Sequence, residues 1–207
     1  MKKEKIFKLP YISGSQWKGN LRSAIREMKN IKKWEDEDEQ MRRMFGNTKD
    51  EKENKNLLQG ALRLYPTFFD RISLEVINPH DRETGTGKNP IFLETVPKGT
   101  DGRFQLFYFP MNHKGDENDI SDVIDDFGVL AEEICKMMTL YGFGAKVSSG
   151  FGRVRNIENG ALHMKVGSEF GKKFGLDNGT DLVLNFKSFR ELKSVADELS
   201  MRAGGRK

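Results

Sequence analysis

The stretch Gly142-Phe143-Gly144-Ala145-Lys146-Val147-Ser148-Ser149-Gly150-Phe151-Gly152-Arg153 constrains the chain most, because a helix-like run leads into it and a strand-like run leaves it. Dinucleotide and P-loop sites use the opposite order: the glycine loop follows a strand and opens a helix, so that phosphate meets the positive helix end. That order is absent here, and both site types are excluded for this loop. The pattern G-x-G-x5-G-x-G, with Lys146, Ser148 and Ser149 inside it and Arg153 directly after it, lets backbone N–H groups, hydroxyls and cations approach a polyanion closely. A nucleic-acid backbone is the anion this favours. The plainer alternative is a C-cap glycine followed by a tight turn, for which Gly142 alone would serve.

Composition narrows the class. A chain of 207 residues, 36% hydrophobic and 32% charged, has enough length for a core, and a single domain is expected. Mean hydropathy is −0.65, and no window approaches a membrane span. The N-terminal Met1-Lys2-Lys3-Glu4-Lys5-Ile6-Phe7-Lys8 lacks an apolar signal core, and one cysteine, Cys135, cannot form an intramolecular disulfide. A cytoplasmic protein is expected. Cys135 stands near Ile134 and Met138 in a helical pattern, the setting of a small buried hydrophobe rather than a nucleophile. The net charge of +4 permits nucleic-acid binding without demanding it. Its distribution says more: acids crowd Glu35 to Glu39 and Asp116 to Asp126, which leaves the glycine loop, the first helix and the C-terminal tail basic.

Along the chain, Ser15 is the expected N-cap of a helix from Gln16 to about Lys33. Its apolar stripe is Trp17, Leu21, Ala24, Ile25 and Met28, with Lys18, Arg22 and Arg26 on other faces. Trp17 belongs to the core or serves as a stacking platform for a base. Residues 29–56 are dominated by charge and predict a mobile insertion. Leu62–Tyr65, Ile72–Val76 and Phe104–Phe109 predict strands, and residues 78–100, rich in turn formers before a strand-like Ile91–Val96, predict a protruding arm. A second long helix carries Val123, Phe127, Leu130, Ala131, Ile134, Met138 and Tyr141, with caps expected at Asp119 or Ser121. Strands at Arg153–Ile157, Ala161–Val166 and Leu182–Phe186, a helix at Ser188–Met201 and a flexible tail at 202–207 complete the reading. The fold class is α+β. With a strand supplied in front, the element order becomes the split β-α-β of a ferredoxin-like, RRM-like fold.

Four separated motifs, in order, resemble the RAMP superfamily of CRISPR-associated proteins, especially the backbone subunits of type III effector complexes that coat guide RNA. Pro10-Tyr11-Ile12-Ser13-Gly14-Ser15-Gln16-Trp17-Lys18-Gly19-Asn20-Leu21-Arg22 is similar to the family's P-Y-I-P-G-S-S-x-K-G-x-x-R entry to the first helix, and Arg43-Met44-Phe45-Gly46 to its R-L-F-G. Asn78 to Thr100, with His80-Asp81-Arg82-Glu83-Thr84-Gly85-Thr86 and Val96-Pro97-Lys98-Gly99-Thr100, resembles the inserted thumb hairpin. The opening loop resembles the family's C-terminal glycine-rich loop. The resemblance implies that Lys18 and Arg22 face guide phosphates, that the glycine loop supports them, and that the thumb wedges the guide–target duplex. Candidate RNA contacts are Ser13, Ser15, Lys18, Arg22, Arg82, Lys88, Gly142, Gly144, Lys146, Ser148, Ser149, Gly150, Gly152 and Arg153. Implied partners are guide RNA, complementary target RNA and other effector subunits. Each assignment has a plainer rival: Lys18 and Arg22 as solvated surface charges, His80 and His113 as surface residues, His163 as a hydrogen-bonded structural histidine.

The chain departs from the family at its front. The family places a first strand, and a loop with the aspartate linked to target cleavage, before the P-Y-I motif, whereas nine residues precede Pro10 here. The sheet is therefore expected to lack its own first strand, unless Glu4 to Leu9 supplies a short one or another polypeptide donates it. Three functions compete: a non-enzymatic RNA-binding subunit, an endoribonuclease, and a split fragment that completes a partner. For the second, the catalytic candidates are Asp36, Asp38, Asp70, Asp81 and His80, none in a specific metal-ligand spacing. No cofactor is expected, save Mg2+ if target cleavage occurs in the complex.

Overall fold

The computed structural model describes residues 2–47, 58–79, 83–87, 89–110, 117–165 and 181–202, with side chains in the third helix from Ile120 onward. The architecture is α+β. Two compact units divide it, one of Met1–Trp17 with Arg63–Phe107, the other of Lys18–Leu62 with Tyr108–Lys207.

In the first unit, residues 2–11 fold back on themselves. Lys3 bridges Pro10, the Glu4 N–H donates to Leu9 O at 2.8 Å, and the Tyr11 N–H donates to Lys2 O at 3.1 Å. Glu4 closes the turn by accepting from the N–H groups of Ile6 and Phe7, which hold its carboxyl below the usual range. Glu4–Leu9 is thus a turn and not the substitute strand. Strand β1 (Tyr11–Ile12) pairs antiparallel with β3 (Thr67–Phe68), and β4 (Ser73–Ile77) with β5 (Ile91–Thr95). Strand β2 (Leu62–Leu64) pairs with β6 (Leu106–Tyr108), shorter than the six residues expected there. Among the described residues every sheet is two-stranded. Trp17 is core: it donates from Nε1 to Thr67 Oγ1 at 2.9 Å and meets the Phe104 ring edge-on at 5.1 Å.

Helix α1 (Gly14–Met28) starts two residues earlier than its sequence predicts. The cap is Ser13, whose Oγ accepts from the Gln16 N–H at 3.3 Å, while Ser15 lies in the first turn and bonds the Ser13 hydroxyl at 3.0 Å. Gly14 enables the shift, since a Cβ there would stand 2.0 Å from Leu64 O. The helix stops at Met28 and not Lys33 because Asn30 turns left-handed (φ 56°). The Ile31 N–H then bonds Arg26 O and the Asn30 N–H bonds Glu27 O, a Schellman closure.

In the second unit, residues 29–47 are not the mobile insertion their charge predicts. A 3-10 turn at Trp34–Asp36 leads to helix α2 (Glu39–Phe45), capped by Asp38, whose side chain accepts from the Met41 N–H at 2.9 Å. Met41, Met44 and Phe45 fall at i, i+3 and i+4 and are buried, so three apolar residues order a segment that composition reads as solvated. Residues 48–57 lie outside the described residues.

Helix α3 (Glu117–Lys136) begins before both expected caps, so Asp119 and Ser121 are helical, and it ends in a π turn at Met137–Tyr141. Strands β7 (Gly160–Met164) and β8 (Leu182–Phe186) pair antiparallel, and helix α4 (Phe189–Arg202) follows, with Ser188 Oγ accepting from the Glu191 N–H. Ile120, Ile124, Leu182, Val195 and Leu199 form the core between α3, α4 and this ladder. Arg153–Ile157 is not a strand. Its exposed Arg153, Arg155 and Asn156 have no buried face to offer, and the Val154 N–H bonds Met138 O at 2.7 Å.

Candidate nucleic-acid interface

The glycine loop closes on itself in the second unit. The Phe143 N–H donates to Gly152 O at 2.9 Å, and the Val147–Ser149 3-10 turn sits inside, with the Ser149 N–H on Lys146 O at 2.9 Å. All four glycines have positive φ (77°, 86°, 86° and 70° in order), and Lys146 joins them at 62°. At Gly152 a Cβ would lie 1.8 Å from Phe143 O, and at Gly142 one would lie 3.0 Å from Phe151 O. These two therefore serve the closure itself. Gly150 faces open space, so only its backbone angle calls for glycine. The closure carries Lys146, Ser148, Ser149 and Arg153 outward, all exposed, and among the described residues neither Lys146 nor Arg153 forms an ion pair. Five positive-φ residues between Gly142 and Gly152 are more than a C-cap glycine with a tight turn requires.

Lys18 and Arg22 are engaged within the protein. Lys18 Nζ donates to Leu62 O at 3.4 Å and stands 6.0 Å from the Phe45 ring centre. Arg22 grips Glu37 with two N–H groups, touches Gly46 O at 3.4 Å and lies 5.7 Å from the same ring. Glu37 is fully enclosed and also faces Arg26 Nε at 3.8 Å. Two cations on one buried carboxylate leave a net positive helix face, with Arg22 held in one rotamer. Sequence reading missed Glu37, which was hidden inside an acidic run.

The Arg43-Met44-Phe45-Gly46 motif is a structural hub. Arg43 donates Nε and Nη2 to the two oxygens of buried Asp126 at 3.0 and 2.7 Å and Nη1 to Asp122 at 2.9 Å. Tyr108 donates its hydroxyl to Asp126 Oδ2 at 2.7 Å; burial, then Asp126, push that hydroxyl above its ordinary range. The Asp126 bond likewise raises the Arg43 guanidinium, which stays charged. Gly46 (φ 77°) packs against Gly60, where a Cβ on either would strike backbone within 2.6 Å.

The catalytic candidates do not converge. Asp38 is spent as the α2 cap and on Lys29 at 2.5 Å; despite burial, those bonds hold its carboxyl below the ordinary value. Asp36 is exposed in the 3-10 turn, and Asp70 pairs with Arg71 at 3.5 Å on the surface. His80, Asp81, Arg82, Lys88 and His113 lie outside the described residues. His163 is exposed on β7, opposite Val183 in the ladder, and its imidazole has no hydrogen-bond partner among the described residues, against the structural bond expected of it. No group of three or more His, Cys, Asp or Glu among the described residues is placed to hold a metal ion. Cys135 is half-buried. In the first unit, the arm is a five-pair antiparallel hairpin, Ser73 opposite Thr95 through Ile77 opposite Ile91.

Comparison with known proteins agrees with the motifs. A protein of Streptococcus thermophilus named "CRISPR system Cms endoribonuclease Csm3" is 28% identical over 167 residues, 73% of this chain and 71% of that one. A chain in the "Cryo-EM structure of the Type III-B Cmr-beta bound to cognate target RNA" is 20% identical with a TM-score of 0.47, covering 74% of this chain and 47% of that one. The protein thus spans about half the length of that solved chain. Residues 2–155, well over half of the sequence, match the sequence model of the RAMP superfamily, and the chain belongs to that family.

Proposed function

We propose that the protein is an RNA-binding subunit of a type III CRISPR effector, a ribonucleoprotein of antiviral defence working in the cytoplasm, and that it grips guide-RNA phosphates without cutting. The observation that carries this is the self-closed glycine loop presenting Lys146 and Arg153, neither ion-paired among the described residues, beside Ser148 and Ser149. Phosphate is the common feature of a guide whose sequence varies, so affinity comes from charge and shape. Lys18 supplies a further cation, while Arg22 shapes the helix face through Glu37. The β4–β5 hairpin serves as the thumb against the guide–target duplex. A strand from a neighbouring subunit completes the ferredoxin-like fold.

The test is RNA binding by the full chain as salt is raised. Affinity for two unrelated sequences should fall together and steeply, since each neutralised phosphate releases counterions. Tight binding to one sequence with little salt dependence would defeat the reading. The relative's name raises endoribonuclease activity as a second reading. Incubation of labelled RNA with the chain in Mg2+ and in EDTA separates the two, and intact RNA in both is expected.

A further inference from the structure

We propose that two partly exposed aromatic pairs in the first unit, Tyr11–Phe68 and Tyr65–Phe107, form a stacking platform for unpaired bases of single-stranded RNA, a site distinct from the phosphate-gripping loop. The inference rests on the RNA-binding reading above and adds base contact to it.

Each pair lies on the more exposed side of a ladder whose other side is buried in β1–β3 and buried to half-buried in β2–β6. In β1–β3, Tyr11 is opposite Phe68 and Ile12 opposite Thr67. Ile12 and Thr67 are 7% and 3% exposed, whereas Phe68 is 45% exposed and stacks on Tyr11 at 5.6 Å and 30°. In β2–β6, the Tyr65 N–H donates to Gln105 O at 3.1 Å, so Tyr65 faces Gln105 and, two residues away on the same side, Arg63 faces Phe107. Tyr65 and Phe107 are 49% and 45% exposed, with centroids 5.2 Å apart. Only Pro66 lies between Tyr65 and the first residue of β3, so one continuous strand–link–strand segment carries a ring of each pair.

Three half-exposed rings, with the partly buried Tyr11 stacked under one of them, are costly to leave in water unless something stacks on them. The chemistry of the outer faces selects the occupant. They present Tyr11, Phe68, Tyr65 and Phe107 with Arg63 and Gln105 and no aliphatic residue, which gives flat π surfaces, a cation and an amide. Bases stack on such rings, and arginine meets their phosphates or edges. Residues 62–72 carry Arg63 and Arg71 against Asp70 alone, the sign an RNA strand requires. By contrast, the exposed side of the β4–β5 hairpin holds Leu74, Val76 and Phe92, mostly aliphatic and unsuited to bases.

The experiment compares a single-stranded RNA of about ten nucleotides with an abasic ribose-phosphate strand of equal length. The full-length chain should bind the base-bearing strand about tenfold or more tighter. Tyr65→Leu with Phe107→Leu, and separately Tyr11→Leu with Phe68→Leu, should each remove about tenfold from that preference and leave abasic-strand affinity unchanged. A second measurement needs no variant: 2-aminopurine placed in the strand should lose fluorescence when the parent chain binds it. Equal affinity of the parent for both strands, or unquenched 2-aminopurine, would overturn the platform while the phosphate loop stood. Leucine variants that keep the full preference, or that change only the mass of a protein assembly, would overturn it too. Failure of the parent to bind either strand would defeat the RNA-binding reading and the platform with it.

Discussion

Arg43 shows how a residue in a family motif can be spent on contacts within the protein. Its three hydrogen bonds to Asp126 and Asp122 tie α2 to α3, and Asp126 has no exposed surface. Arg43→Ala would leave that carboxylate buried with Tyr108 as its remaining donor, so unfolding free energy should drop by about 3–5 kcal/mol in a denaturant titration. Tyr108 tests the same cluster by pH. Its folded hydroxyl is held above the ordinary value of 10.0, so the folded state binds this proton more tightly than the unfolded chain. The associated stability is complete below pH 10 and falls as pH rises beyond it. Tyr108→Phe should lose about 1 kcal/mol at neutral pH and show a smaller alkaline decline, both readable in melts at pH 8 and 11.

The glycine loop and the hairpin carry predictions at the level of elements. Gly152→Ala would drive a methyl into Phe143 O and break the bond that closes the loop, whereas Gly150→Ala meets open space and costs only left-handed strain of about 1–2 kcal/mol. RNA affinity should therefore collapse for Gly152→Ala and persist for Gly150→Ala; equal effects would mean that closure is not what positions Lys146 and Arg153. In the hairpin, the five register pairs from Ser73 to Ile77 stand apart from the described tip residues Glu83 to Gly87, all exposed. Deleting residues 83–89 should shift unfolding free energy by less than about 0.5 kcal/mol while impairing assembly on guide RNA. A large drop in the melting transition would assign the tip a packing role instead.

For the whole molecule, binding should behave as a charge effect with a small number of phosphates. Lys146→Ala with Arg153→Ala should weaken binding about equally for unrelated RNAs and reduce the slope of log K against log salt by about 2. A loss confined to one sequence would point to base readout through the loop. How much of this was open to sequence reading depends on range. Hydrophobic spacing placed α3, β8 and the last helix within a residue or a few, because period and local turn chemistry are properties of neighbouring residues. The glycine pattern likewise marked the loop, since positive φ at four positions is a local demand that only glycine meets cheaply. What it could not state is where charges go. Glu37 and Asp126 read as members of solvated acidic runs, yet each is buried against an arginine 15 and 83 residues away in sequence. Burial of a charge is decided by its partner across the fold, so the ordered α2 segment, the internal role of Arg22 and the hub at Arg43 were settled only by tertiary packing.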